Sequence, residues 1–270
     1  MSVSEGTAPR SWVDRILTLN GWAVFVFLYA PILLVMVFSF SDNPNVGIWG
    51  GFTLRWYERM FGNSQLMNAL RNSLIVAAVS TVVSTVLGTA AALALDRFRR
   101  WVGKGTFDAL LYLPVIIPDV TMAVMLLLWF TQLGMTLSLT TIVLSHIAFN
   151  ISFVAIVVRA RLANMDDAIE EAAADLYADR WQVFRKVTLP LIWPGVAGGG
   201  LLALTLSLDD VVITSFVQGP GSTTLPVFVF GLIRKSVTPQ INAVSTVMLV
   251  ASMALVFVSL VFQRRSETKG

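Results

Sequence analysis

The chain contains no cysteine and a single histidine, His146, and only 13% of its 270 residues are charged. The first absence excludes disulfide frameworks, thiolate metal sites and cysteine nucleophiles. The second leaves nothing from which to assemble a His-rich zinc site or a Ser-His-Asp triad. The third is the most restrictive. Ordinary soluble domains carry roughly 25% charged residues, and a chain with half that share cannot clothe a water-soluble surface of this size. Hydrophobic residues make up 56% of the sequence and mean hydropathy is +0.76. The chain reads as an integral membrane protein. The net charge of +3 and pI near 9.5 would suggest nucleic acid, but the placement of the basic residues argues against it.

At about 20 apolar residues per crossing, six segments qualify, roughly 21–40, 69–95, 107–130, 138–159, 191–212 and 241–262. The first competes with a cleaved signal peptide. No small-residue cleavage site follows it within a few positions, so it reads as an anchor. Six crossings put both termini on one side. Arg10, Arg15, Arg97, Arg99, Arg100, Lys104, Arg159, Arg161, Arg180, Arg185, Lys186, Arg264, Arg265 and Lys269 fall on that side, and only Arg55, Arg59, Arg71, Arg234 and Lys235 on the other. The positive-inside rule then places both termini in the cytoplasm. The expected fold is all-α, a single polytopic membrane domain over residues 1–270.

Three connections stand out. The outer loop 41–68 contains an amphipathic stretch, Thr53–Phe61, and the second outer loop, 213–240, contains Leu225–Ile233, too short to cross and better suited to a re-entrant or interfacial piece. Neither loop resembles a binding domain. The cytoplasmic connection 161–190 carries Asp166, Asp167, Glu170, Glu171, Asp175 and Asp179. It predicts two short helices, DDAIEEAAADLYA and RWQVFRKVTL, stopped by Pro190 and Pro194.

Three carboxylates fall inside predicted crossings: Asp119, Asp209 and Asp210. At a helix centre each costs about 2.5–3.5 kcal/mol on insertion scales, so each should face a partner, a cavity or a pathway. Pro114 and Pro118 predict a break in the third segment, where Asp119 could instead cap the second half-helix. Asp209 and Asp210 diverge by about 100° on a helix, so one at most faces a pathway squarely. Ser207, Asp210 and Thr214 share one stripe, Thr205 and Asp209 another. Interhelical hydrogen bonding is the alternative for the pair. It is the preferred reading for His146 and Asn150, one turn apart on the fourth segment, which could otherwise line a polar track. Gly195 and Gly199 read as a close helix contact. Met122, Met125 and Phe130 read as core or lipid-facing rather than as a gate.

No phosphate-cradling GxxxxGK[ST] loop is present, since Gly103-Lys104 lacks the earlier glycine. If ATP drives the protein, another chain binds it. Glu171-Ala172-Ala173, continuing to Val187, Leu189 and Pro190, resembles the EAA loop of ABC-importer permeases, EAA-x3-G-x9-I-x-L-P. Two short helices lying across the membrane face form a knob that can dock into a groove on an ATPase. Phe27-Leu28-Tyr29-Ala30-Pro31, Trp56-Tyr57, Pro118-Asp119-Val120, Ser145-His146, Leu206 to Asp210, Gly219-Pro220-Gly221 and Leu225-Pro226 extend the likeness over nearly the whole chain. Together they resemble the permease subunits of bacterial spermidine/putrescine importers, closest to the second permease of putrescine systems.

That resemblance implies a type I ABC-importer permease in the bacterial inner membrane, half of a translocation path for a polyamine. It implies a second related permease, a cytoplasmic ATPase dimer holding ATP and Mg, and a periplasmic polyamine-binding protein. No cofactor, metal or catalytic residue is expected on this chain, and its surroundings are lipid. Asp209, Asp210, Asp119, Ser207 and His146 are the pathway candidates. Glu170, Glu171, Ala172, Ala173, Tyr177, Phe184, Leu189 and Pro190 are the ATPase-coupling candidates. The rivals are a permease of the same architecture for another solute, an intramembrane enzyme, and an ion-channel subunit with no need of a docking loop. Tyr177 stands where the family has glycine. Leu176-Tyr177-Ala178 holds no helix breaker, so the first loop helix is expected to run through Tyr177 and bend near Ala178-Asp179, with Asp179 capping the next helix.

Overall fold

The computed structural model describes residues 12–98, 101–166, 168–235 and 238–267. The charges at Arg10, Arg99, Arg100 and Lys269, and Asp167 of the connection 161–190, lie outside the described residues. Among those described every regular element is helical, and an isolated bridge joins Ser41 to Phe52. The helices are α1 (Trp12–Phe38), α2 (Arg55–Phe61), α3 (Ser64–Arg97), α4 (Lys104–Ile116), α5 (Asp119–Gln132), α6 (Leu139–Leu162), α7 (Ala168–Asp175), α8 (Arg180–Val183), α9 (Leu189–Asp209), α10 (Val212–Val217), α11 (Leu225–Lys235) and α12 (Pro239–Glu267). A π-helical turn, Phe184–Thr188, joins α8 to α9.

Four rods among the described residues are long and apolar enough to cross a membrane: α1, α3, α6 and the continuous Arg180–Asp209. The expected third crossing is two helices, α4 and α5, bent by 114°; counted as one broken span it makes a fifth. Ile117, preceding Pro118, is driven out of the helical region to φ −72, ψ 133, as a residue before proline must be. Pro114, one turn earlier, stays inside α4. Helix α12 occupies the place of the expected sixth crossing. The short apolar run 225–233 forms α11, of 11 residues.

Contacts group the chain into two compact units, one from the described residues of 1–62 and 236–250, the other from those of 63–235 and 251–270. In the first, α2 turns Trp56 and Met60 inward. The Trp56 indole donates to the Ser41 carbonyl at 2.7 Å, and the guanidinium groups of Arg55 and Arg59 lie 4.8 and 5.1 Å from its ring centre.

The second unit is organised by α3, α6 and α9. Small residues let these backbones approach, as in membrane helix packing generally. A Cβ at Gly195 would stand 2.8 Å from the Cβ of Arg161, and one at Gly199 3.2 Å from the Cα of Val154. Around them pack Ala92, Leu95, Val158, Ile192 and Ala203. A second cluster, including Ala123, Phe130, Ile142, Phe149 and Ile213, joins α5, α6 and α10.

Two expectations for the connection 161–190 are corrected. Pro190 and Pro194 do not stop a helix. The π turn shifts the register so that the Leu189 amide reaches back to Phe184 O, and the helix passes the missing proline amides into α9, an accommodation π-bulges provide. Nor does α7 run through Tyr177. It ends at Asp175, and Tyr177 is the one non-glycine residue with positive φ among those described, at +60°. The amide of Ala178 donates to Ala173 O and that of Tyr177 to Ala174 O, the paired bonds of a Schellman closure. Tyr177 therefore takes the left-handed C-terminal position that glycine usually fills. Asp179 does cap α8, accepting from the Trp181 and Gln182 amides at 2.8 and 2.9 Å.

Candidate functional site

Two regions carry the predicted residues. The first is the break between α9 and α10. Asp210 leaves the helix at φ −65, ψ 125, and its carboxylate turns back onto α10. It accepts from the Ile213 amide at 3.2 Å, the Thr214 amide at 2.8 Å and the Thr214 hydroxyl at 2.7 Å. From α6, His146 Nε2 approaches the same carboxylate at 3.4 Å and the Thr214 hydroxyl at 3.0 Å. Lower on the same face the Asn150 amide donates to Ser207 Oγ at 2.8 Å, and Ser207 Oγ lies 3.0 Å from Ser80 Oγ of α3. At the far end the Thr141 hydroxyl donates to Val217 O at 2.7 Å. The stripe of Ser207, Asp210 and Thr214 is thus a buried seam against α6, and His146 and Asn150 are its interhelical partners.

Asp209 faces the other way. It and Thr205 are exposed, and so is Asp119, where the α4–α5 bend leaves it as the first residue of α5 with Pro118 in the capping position. Among the described residues neither the Asp209 nor the Asp119 carboxylate has a hydrogen-bond or ion-pair partner. The structure therefore separates the three acids into one engaged at a helix break and two left open.

The second region is the connection 161–190. Glu170, grouped by sequence with the outward-facing residues, points inward and is only 9% exposed. Its two carboxylate oxygens accept from the two terminal nitrogens of Arg97, at the end of α3, and Oε1 also accepts from the Thr188 hydroxyl at 2.6 Å. Arg97 holds the Glu170 carboxyl below its ordinary pKa, burial opposing and Thr188 assisting. Glu171 and Ala172 are exposed, with Ala173 half-buried beside them. Leu176 and Trp181 are also exposed, Tyr177 is 98% so, and the Trp181 ring lies 5.6 Å from that of a half-buried Phe184. Pro190 is exposed, whereas Leu189 packs against the α3–α6–α9 core.

Sequence reasoning missed Arg97 and Thr188, the first counted only as a topology charge. It also missed the clip on the loop after α10: the Asn72 side chain donates to Gly221 O and Thr223 O, and Ser73 Oγ accepts from the Leu225 amide. No local pattern announces these partners, which lie 18 to 152 residues apart in the chain.

Residues 84–269 match the family of binding-protein-dependent transport system inner membrane components. The putrescine transport system permease protein PotI of Escherichia coli (strain K12) is 41% identical over 249 residues, covering 90% of this chain and 89% of the relative. The spermidine/putrescine transport system permease protein PotC of the same strain is 39% identical, covering 92% and 93%. A chain from the crystal structure of a bacterial ABC transporter that imports the acidic polysaccharide alginate superposes with a TM-score of 0.75 at 21% identity, covering 95% and 96%. That likeness speaks for the fold alone. On the family match and the two polyamine-system relatives, the chain belongs to the binding-protein-dependent inner-membrane components, the permeases of ABC importers, and is a transport subunit rather than an enzyme.

Proposed function

We propose that this chain forms half of the translocation path of an ATP-driven polyamine importer, with putrescine the first substrate to test and both termini cytoplasmic. The observation that carries the reading is the pair of open carboxylates. Asp119 and Asp209 sit at helix breaks within apolar segments, exposed and unpaired among the described residues. An acid in that position is costly unless it faces water or a counter-charge. Polyamines are multiply charged ammonium compounds at neutral pH, and opposite charge offsets their desolvation on the way through. The substrates named for the two relatives, putrescine and spermidine/putrescine, agree with that chemistry.

A second, related permease completes the path in this reading, a periplasmic binding protein delivers the polyamine, and a cytoplasmic ATPase dimer binds ATP and Mg. The ridge of Glu171, Ala172, Ala173 and Tyr177 meets that ATPase: small side chains permit close approach, and exposed apolar groups need a cover. His146, Asp210 and Ser207 hold the α9–α10 break in shape beside the path. The reading is tested by reconstituting the whole complex in vesicles and following labelled putrescine and spermidine. ATP-dependent accumulation of either supports it; ATP hydrolysis stimulated by the binding protein with neither amine accumulated would overturn the substrate assignment.

A further inference from the structure

Helix α7 is eight residues long, too short to hold its shape unaided. Among the described residues, the only side-chain hydrogen bonds that tie it to another element are those of Glu170. They reach two rods at once. Arg97 is the last residue of α3, and Thr188, buried, is the residue from which α9 starts. The Arg97 fork grips both carboxylate oxygens, a geometry that resists rotation as well as sliding. Arg97 Nη2 also lies 3.5 Å from Thr188 Oγ1, closing the triangle.

Beyond the triangle, α3 and α9 are locked to α6 through Gly88, Val154 and Gly199. Helix α9 runs 21 residues to the break that carries Asp209 and Asp210. A push on α7 therefore has a stiff route to the break, roughly 30 Å away at the helical rise. Interiors packed to this density move as bodies rather than yield. The neighbouring acid, Glu171, is exposed and free to meet another chain.

We propose that Arg97, Glu170 and Thr188 form the joint that carries displacement of α7 into α3 and α9, with Glu170 a positioning residue and not an ATPase contact. This rests on the reading that the loop docks an ATPase, and the two can fail separately. In the complete reconstituted complex, the wild type must first recover the ATPase and accumulate putrescine; if it does not, the docking reading fails before the joint is tested. Glu170→Gln keeps the size and removes the charge. The expected result is that ATPase recovery is retained while putrescine accumulated per ATP hydrolysed falls about fivefold or more. Thr188→Val should lower the same ratio and Thr188→Ser restore it, so the outcome does not hang on one variant's folding. The exchange Arg97→Glu with Glu170→Arg should recover part of the loss. A ratio within about twofold of wild type in both Glu170→Gln and Thr188→Val would overturn the joint. Loss of ATPase recovery in Glu170→Gln would overturn it too, showing Glu170 to be a docking residue.

Discussion

Gly88 of α3 faces Val154 of α6 so closely that a Cβ at position 88 would stand 2.7 Å from the Val154 Cβ and 2.8 Å from the Ile151 carbonyl oxygen. One neighbour is a β-branched side chain and the other is backbone, so neither can swing aside. Gly88→Ala should destabilise the protein by about 1–3 kcal/mol, the range for overpacking a filled interior. Combining it with Val154→Ala should recover only part, because that change removes the Val154 Cγ1 at 2.9 Å while the Cβ and the carbonyl both stay. Gly21→Ala, with nothing within 4 Å, is the control. Thermal unfolding in detergent reads all three, and a Gly88→Ala melt equal to the control would mean the helices are not in contact there.

Tyr177 occupies the left-handed region at φ 60, where an L-residue costs about 1–2 kcal/mol and glycine does not. Tyr177→Gly should therefore stabilise the α7–α8 turn, and Tyr177→Ala should not. Hydrogen exchange of the 173–178 amides reports the difference: slower in the glycine variant, unchanged or faster in the alanine one. Equal protection in all three proteins would show that the turn is not held in this conformation. If coupling collapses in Tyr177→Gly although the turn is better protected, the exposed ring is itself a contact with the ATPase.

What could be read in advance follows the range of the forces. Apolar runs declare most of the long helices, Pro118 declares the break before α5, and the spacing of Ser207, Asp210 and Thr214 declares a common face, because each depends on neighbours within a few residues. The conformation of Tyr177 was illegible for the opposite reason. Leu, Tyr and Ala all favour continuing the helix, and the reversal is imposed by closure onto Ala173 and Ala174 and by the start of α8 at Asp179. Glu170 and Glu171 are indistinguishable as text; the one that turns inward is the one Arg97 reaches, 73 residues earlier.

The Arg97–Glu170 pair makes α7 acid-sensitive. Arg97 lowers the Glu170 pKa in the fold, against the cost of burial. A carboxyl whose folded pKa lies below its unfolded value stabilises the fold above the unfolded value, near about 4.3 for glutamate, and that contribution fades as pH falls through the folded value. Protection of the α7 amides should be full at neutral pH and drop as the solution is acidified below about pH 4. Glu170→Gln cannot ionise, so its α7 should be weaker at neutral pH and change little over the same interval. Parallel pH profiles in the two proteins would place the acid sensitivity elsewhere.

The two neighbouring acids at the end of α9 should fail in different ways. Asp210 carries bonds to the Ile213 and Thr214 amides, to the Thr214 hydroxyl and toward His146. Asn in its place has one carbonyl oxygen where two carboxylate oxygens were used, and its NH2 group would confront donors. Asp210→Asn should therefore lower stability by about 1–3 kcal/mol, as expected when buried polar groups lose partners. Asp209 is exposed and unpaired among the described residues, so Asp209→Asn should leave the melt within about 0.5 kcal/mol of wild type. Its effect belongs to transport. Removing one negative charge from the route of a cation should cut putrescine accumulation about tenfold with the complex intact. Asp119→Asn should act in the same sense, because it is the other open acid. The comparison turns on pairing melting temperature with uptake for each variant. Asp209→Asn transporting at the wild-type rate would remove it from the path. A normal melt with lost uptake in Asp210→Asn would transfer the pathway role to the acid that the structure shows engaged with His146 and Thr214.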